Sequence, residues 1–307
     1  MKLAAVVIWF YPTSLKNQNA IKNIQSYNQF CDSIIIVDNS QNDNSNLIPH
    51  NSGFIYLSNK NHNGIAGALN IGILTARNSG CDYVLTMDQD SFFSNGEAKK
   101  YIQNVNSHLN DAKLFSLKLK YEDFSITPIL KWPREYIPKS LKAFIKHTFL
   151  KRKKIPEKNI PEFEYVTKAF TSGTITEIKI WESVGKYDEY LFIDEVDFDF
   201  CNKVLLHNEK ILRFNNCILN HSLGAKYRTL FPKCYYTKSK MRFYYIIRNK
   251  YIQKFRYEKL LNNHNYKKEI REFFRDYCIL NVKNFSYLVI YLKAKRDAQR
   301  YITQNKS

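Results

Sequence analysis

No C-x-x-C pair occurs among the six cysteines, Cys31, Cys81, Cys201, Cys217, Cys234 and Cys278. That spacing excludes an obvious zinc site and offers no disulfide framework, so reduced thiols in a cytoplasmic protein are the expectation. No run reaches the ~18 apolar residues of a membrane-spanning helix. The apolar start at 3–10 has one lysine before it and Pro12-Thr13 after it, where a secretory leader would place small residues for cleavage. A buried strand is therefore predicted there, in a protein that is soluble or attached to a membrane surface. Internal repeats and low-complexity linkers are missing too. Acids are scarce: 28 Asp and Glu stand against 47 Lys and Arg, a net charge of +19.

Apolar residues make up 44% of the chain and aromatics 15%, which argues against disorder. At 307 residues the length suits one large domain or two smaller ones. The positive charge is uneven, with 21 Lys or Arg against 5 Asp or Glu in residues 225–307. Such a tail suits nucleic acid or an anionic membrane surface, or is simply solvated.

The first 95 residues or so alternate strand and helix signals. Strands are predicted at 3–10, 33–37, 54–57 and 82–87. Helices are predicted at 14–30, with Leu15, Ile21, Ile24 and Tyr27 on one side, and at 64–79, with Ile65, Ala68, Leu69, Ile71 and Leu74 as its apolar face. Strands that are apolar throughout and joined by helices imply a parallel sheet covered on both faces. Ligands of such sheets sit beyond the carboxyl ends of the strands. A second block, 113–223, has strand-like runs at 114–119 and 210–214 and a helix beginning near Ile178. Residues 227–307 are helical by pattern.

Four separated elements carry chemistry. Asp38, Asn39 and Ser40 end the second strand, where a carboxylate can accept from the N–H of a pyrimidine base. The stretch 59–72 contains Asn63-Gly64, Gly67, Asn70 and Gly72; its glycines allow close backbone approach, and the start of its helix favours phosphate. Asp88-Gln89-Asp90 ends the fourth strand. Carboxylates spaced i, i+2 on extended backbone lie on one side and repel unless a hard cation such as Mg2+ or Mn2+ sits between them. Last comes the acidic cluster Asp194, Glu195, Asp197 and Asp199 set among Val196, Phe198 and Phe200, followed by His221.

In this order, "VDNS", "NHNGIAGALNIG", "DQDS", "TSGTITEIKIWESVGKYDEYLFIDEVDFDFCNK" and "NHSLG" resemble an inverting family-2 glycosyltransferase over roughly residues 3–225. With "YYIIRN" at 244–249, the likeness is to rhamnosyl- and galactofuranosyltransferase-like members that build bacterial surface polysaccharides such as O-antigen or capsule. The resemblance implies an α/β GT-A nucleotide-diphospho-sugar transferase fold, Rossmann-like with a mostly parallel sheet. The implied domain spans 1–225, its donor-binding part about 1–95 and its acceptor-binding part about 96–225. A basic helical C-terminal extension follows at 226–307.

The resemblance also implies roles. Asp38 and Asn39 meet the base, Asn63 and Gly64 line the nucleotide loop, and Gln89 faces the donor ribose or sugar. Asp88 and Asp90 hold Mg2+ or Mn2+ and the donor diphosphate, and His221 completes the metal site. Asp197 is the catalytic base. Ser172, Gly173, Asp194 and Glu195 border the acceptor or sugar pocket. Val196 stands where relatives commonly have an acid, and Lys203 where many have arginine. The implied reaction moves a sugar, rhamnose favoured, from a dTDP- or UDP-sugar to a lipid-linked or growing glycan by metal-assisted single displacement. Galactofuranosyl, glucosyl or galactosyl transfer is the nearest alternative.

Other classes fit less well. A nucleic-acid-binding protein leaves the acidic strand ends unexplained, so no nucleic-acid partner is expected. A nucleotidyltransferase would carry a glycine-rich basic loop after the first strand, where Trp9-Phe10-Tyr11-Pro12-Thr13 stands. Residues 138–154 contain no acid, and on a helix Leu141, Phe144, Ile145, Thr148 and Phe149 form a stripe flanked by lysines. That pattern suits anionic headgroups, and with the tail it predicts a cytoplasmic enzyme peripheral to the inner face of the membrane, acting on a polyprenyl-diphosphate-linked acceptor.

Overall fold

The computed structural model describes residues 1–13, 19–121, 160–221, 226–228, 234–236, 239–261, 266–274 and 286–305. The four apolar runs form β1 (Leu3–Trp9), β2 (Ser33–Asp38), β3 (Ile55–Ser58) and β4 (Tyr83–Asp88). They pair in parallel in the spatial order β3-β2-β1-β4. Side chains alternate between two core layers, as strand geometry requires. Ala4, Val6 and Ile8 enter one layer, and Leu3, Ala5, Val7 and Trp9 the other. Helices α1 (Ala20–Ile24) and α3 (Glu97–Ser107) cover the second layer, and α2 (Gly64–Asn78) covers the first. Gly72 makes the α2 contact possible, since a Cβ there would collide with Val6.

Beyond β4 the sheet changes character. Strand β8 (Thr174–Glu177) runs antiparallel to β4 and to β6 (Leu114–Tyr121). Strand β9 (Ile211–His221) runs parallel to β6 and antiparallel to β5 (Ser91–Phe93) and β7 (Phe163–Tyr165). The sheet is thus parallel in its first half and mixed in its second. Helices α4 (Ile178–Ser183) and α5 (Val196–Leu206) join α2 on the first layer. A small antiparallel pair, β10 (Lys226–Arg228) and β11 (Cys234–Tyr236), precedes α6 (Lys240–Tyr257), α7 (Tyr266–Phe274) and α8 (Ser286–Gln304).

Two sequence expectations change. The helix expected over 14–30 is, among the described residues, only the five-residue α1 with a separate single turn at Asn28–Phe30; residues 14–18 lie outside them. Ser26 is one cause: its hydroxyl bonds the Asn23 carbonyl at 2.6 Å and accepts the Phe93 N–H at 3.0 Å, competing with helix continuation. The strand expected at 210–214 runs on to His221, which brings that residue beside β5. The amphipathic reading of 138–154 falls outside the described residues.

Candidate active site

Strand register assembles the first part of the site. Ile8 of β1 pairs with Asp88 and Trp9 pairs with Asp38, so both acids stand at the carboxyl ends of parallel strands flanking β1. The β5–β9 pairing then sets Ser91 opposite His221. Asp88, Asp90 and His221 each offer a ligand atom, and these atoms lie within 4.8 Å of one another. The Asp90 carboxylate is 3.4 Å from His221 Nδ1. Ser91 Oγ lies 2.6 Å from the same nitrogen and 2.7 Å from Ser172 Oγ, so Ser91, itself held by Ser172, orients the imidazole. Two hard oxygen donors and one imidazole fit a divalent ion of the Mg2+ or Mn2+ type, Mn2+ being the more tolerant of nitrogen.

The second part is the loop entering α5. Three residues in it that are not glycine, Phe192, Asp194 and Glu195, have φ of 66°, 60° and 66°. Each such residue costs on the order of 1–3 kcal/mol unless its surroundings hold it. Helix α6 does the holding. Arg242 grips both oxygens of Asp194, at 2.6 and 3.1 Å. Lys250, buried, donates to Glu195 at 2.6 Å and to Glu269 at 2.5 Å. Asp199 accepts from Gln253, Arg256 and Tyr257 at 2.8, 2.8 and 2.9 Å.

Asp197 is different. It has no ion pair among the described residues, and the one hydrogen bond to its carboxylate is from the Phe198 N–H, at 2.9 Å. Burial pushes its carboxyl up to about 7, with Glu195 and Asp194 adding to the rise and the Phe198 N–H and Lys168 opposing it. Arg242 links the two parts of the site. Burial works against its charge, but Asp194, Asp88 and Asp197 outweigh that and hold its pKa above the usual value.

Several other residues singled out in the sequence have partners within the protein. Asp38 is fully buried; its oxygens accept from the Ser40 N–H at 2.8 Å, Asn44 at 2.7 Å and Tyr56 at 2.8 Å. Asn39 is also buried, bonded to the Gly64 carbonyl and to Asn59. Gln89 does not reach outward: its amide makes a two-way clamp with the Phe10 backbone, 2.9 Å each way. The close approach allowed at Gly64 is to the protein's own chain, since a Cβ there would collide with the Phe192 carbonyl and ring. The first N–H groups of α2 are likewise taken, Ile65 by the Phe192 carbonyl at 2.9 Å and Ala66 by the same atom at 3.5 Å. Free phosphate-binding donors expected there are therefore capped by the acidic loop. Gly173 packs against Leu117 and Leu219, its N–H on Thr86 and its carbonyl on Tyr101. It is a sheet contact.

The same loop is tied to the glycine stretch a second time. Glu189 accepts from Asn63 and from Asn70, and Asn70 also bonds the Tyr187 backbone and the Trp181 indole. Helix α2 and the acidic loop thus form one hydrogen-bonded unit. Glu189, Phe192, Ser91 and the α6 cations were missed by sequence reasoning. The run at 244–249 was the available signal for α6, and Ser91 stood at the end of "DQDS" without a role assigned to it.

The glycosyl transferase family 2 profile matches residues 8–159, a stretch that runs from the end of β1 through β6 and holds Asp88 and Asp90. The chain belongs to glycosyltransferase family 2. A curated relative, the dTDP-rhamnosyl transferase RfbF of Shigella flexneri, is 27% identical over 254 residues, covering 81% of this chain and 78% of the relative. Among solved structures, GalNAc-T7 with UDP, GalNAc and Mn2+ superposes with a TM-score of 0.53 at 13% identity, over 90% of this chain. This chain spans only 54% of that one. S. aureus TarS 1-349 in complex with UDP-GlcNAc gives a TM-score of 0.50 at 13% identity, over 97% of this chain and 80% of that one. At these identities the structural likeness speaks for the GT-A fold alone. The protein is a glycosyltransferase, and its α/β architecture is that of the GT-A class.

Proposed function

We propose that this glycosyltransferase moves rhamnose from a dTDP- or UDP-linked donor to a hydroxyl of a lipid-linked or growing bacterial surface glycan, with inversion at the anomeric carbon. The observation that carries the mechanism is the contrast within the acidic loop. Asp194, Glu195 and Asp199 are each neutralised by a cation of α6, while Asp197 is left without one and titrates near neutrality. A base with a pKa near the working pH is the efficient choice for taking a proton from an acceptor hydroxyl as it attacks. The unpaired Asp197 takes that proton, and Lys168 and the Phe198 N–H steady its charge. Asp88, Asp90 and His221 would hold the divalent cation, which when bound supplies positive charge beside the leaving diphosphate. Arg242, electrostatically close to Asp88 as well as Asp197, adds a fixed positive charge on the same side. Rhamnose and the dTDP carrier are favoured by the relative whose name specifies them.

A melting screen tests this reading. With Mn2+ present, dTDP- and UDP-linked sugars are expected to raise the melting temperature and duplex DNA is not. A donor held at about 100 times its Kd contributes roughly 2.7 kcal/mol. Hydrolysis of dTDP-rhamnose ahead of UDP-glucose, UDP-galactose and UDP-galactofuranose would support the donor. The reverse order would reassign it.

We also place the enzyme on the inner membrane surface. No helix among the described residues is long and apolar enough to cross a membrane. Val289 and Leu292 are exposed on α8, whose later turns expose Arg296 and Arg300, and this pairing of apolar and cationic surface suits an anionic bilayer. In flotation assays the protein is expected to rise with vesicles containing anionic lipid and not with neutral ones, and to lose binding when Lys151, Arg152, Lys153 and Lys154 are neutralised. Equal flotation with both kinds of vesicle would remove the electrostatic reading.

A further inference from the structure

The run Tyr244-Tyr245-Ile246-Ile247-Arg248-Asn249 has no part in the chemistry above, yet its last two residues are buried polar groups aimed at the acidic loop. Asn249 is fully buried. Its Nδ2 donates to the carbonyls of Leu191, Ile193 and Asp194 at 2.9, 2.9 and 2.8 Å, and its Oδ1 accepts from Arg248 Nε at 3.0 Å. Arg248 in turn donates to the Tyr190 and Leu191 carbonyls at 2.5 and 3.2 Å. The three carbonyls held by Asn249 span two of the left-handed residues, Phe192 and Asp194, and end at the peptide that leads into the third, Glu195. A conformation of that kind persists only where neighbours over-determine it. A short, planar amide with two donor hydrogens suits three carbonyls converging from one turn; Ala or Asp in its place would take this donor from the Ile193 and Asp194 carbonyls, while Leu191 would still accept from Arg248 and from the Ile193 N–H.

We propose that Asn249 is a positioning residue for Asp197, holding the strained turn from which α5 starts and so fixing the base against its neighbours. The proposal rests on the reading of Asp197 as the base. The turn is covalently continuous with Val196 and Asp197, the first residues of α5, so a carbonyl released at Asp194 is felt within one helical turn. The charged and titratable groups facing Asp197 are Asp194 and Glu195 from the turn, Lys168 from the segment before β8, Tyr187 and Cys201 beside it, and Arg242 from α6. When the turn relaxes, Asp194 and Glu195 draw away and water enters. The Asp197 carboxyl then falls back towards the ordinary carboxylate range.

The test uses the full chain carrying Asn249→Ala, assayed for steady-state transfer with the nucleotide-sugar that the wild type uses. We expect kcat to fall by about tenfold or more, because small misplacements of a reacting group are costly. Donor KM should stay within about threefold, since Asn249 is fully buried and spends its amide on the turn. The acid limb of the kcat–pH profile should move down by roughly half a unit or more. Asn249→Ser keeps a short donor and is expected to fall between the two. It also carries the same readings if the alanine variant does not fold. Circular dichroism and melting establish which variants are folded. A folded variant whose kcat stays within about twofold, or whose kcat falls while the acid limb stays in place, would overturn the positioning role. Asp197→Asn run in parallel separates the two ideas. Full turnover there removes the base and this proposal with it, whereas loss of turnover beside an unaffected Asn249→Ala removes the positioning role alone.

Discussion

Asp197→Asn is expected to lower kcat for sugar transfer by about a thousandfold, within the range that a general base supplies, and to leave donor binding close to wild type. Asparagine keeps the size of the side chain and its place at the start of α5 but has no basic oxygen to take the acceptor proton. In the wild type, activity should rise through pH 7, falling about tenfold per unit on the acid side, because burial holds the carboxyl up to about 7. Stability follows with its own sign. A carboxyl whose pKa is raised on folding binds its proton more tightly in the folded state. Its contribution to stability is therefore lost as pH rises from the ordinary carboxylate value, about 4, through 7. The asparagine variant should consequently melt higher than wild type at pH 8 and show little difference at pH 4. Residual transfer above about a tenth of wild type would place the base elsewhere, and Asp194, beside Asp197 in the same acidic loop, would be next in line.

The parallel half of the sheet was readable because its strands are apolar on both faces and its helix α2 has a regular stripe; β1, β2 and β4 fall within a residue or two of their expected bounds. The mixed half was not readable, because antiparallel β8 and β7 are only four and three residues long and owe their pairing to neighbours far along the chain. In the site, spacing alone brought out Asp88 and Asp90. What spacing does not carry is which polar groups are consumed internally. Gln89 looks like a ligand contact in the sequence, yet it is spent on the Phe10 backbone. The basic tail shows the same limit from the other side. Lys250 and Arg248 count towards the net charge, yet both are buried and spend that charge on the acidic loop. Charge counting cannot distinguish an internal clamp from a surface that meets lipid. Partner geometry does.

Replacing both Asp88 and Asp90 by alanine is expected to reduce transfer by a hundredfold to about a thousandfold, the loss typical of removing fixed charge from a developing anion. The sharper readout is in stability. The two carboxylates at the end of β4 repel each other when no cation is bound. In the presence of EDTA the double variant should therefore be at least as stable as the wild type, although it has lost two side chains. In Mn2+ with dTDP or UDP the order should reverse, since only the wild type gains the binding free energy of metal and nucleotide. His221→Ala is expected to be milder, within about tenfold in transfer, as removal of one neutral donor leaves both charged oxygens in place. Ser91 and Ser172, freed of the imidazole, still bond each other at 2.7 Å and should keep β5 on β9. A double variant that retains an Mn2+-dependent nucleotide shift would mean that the cation is held by other groups. A double variant that melts well below wild type in EDTA would mean that these carboxylates serve the fold more than the metal.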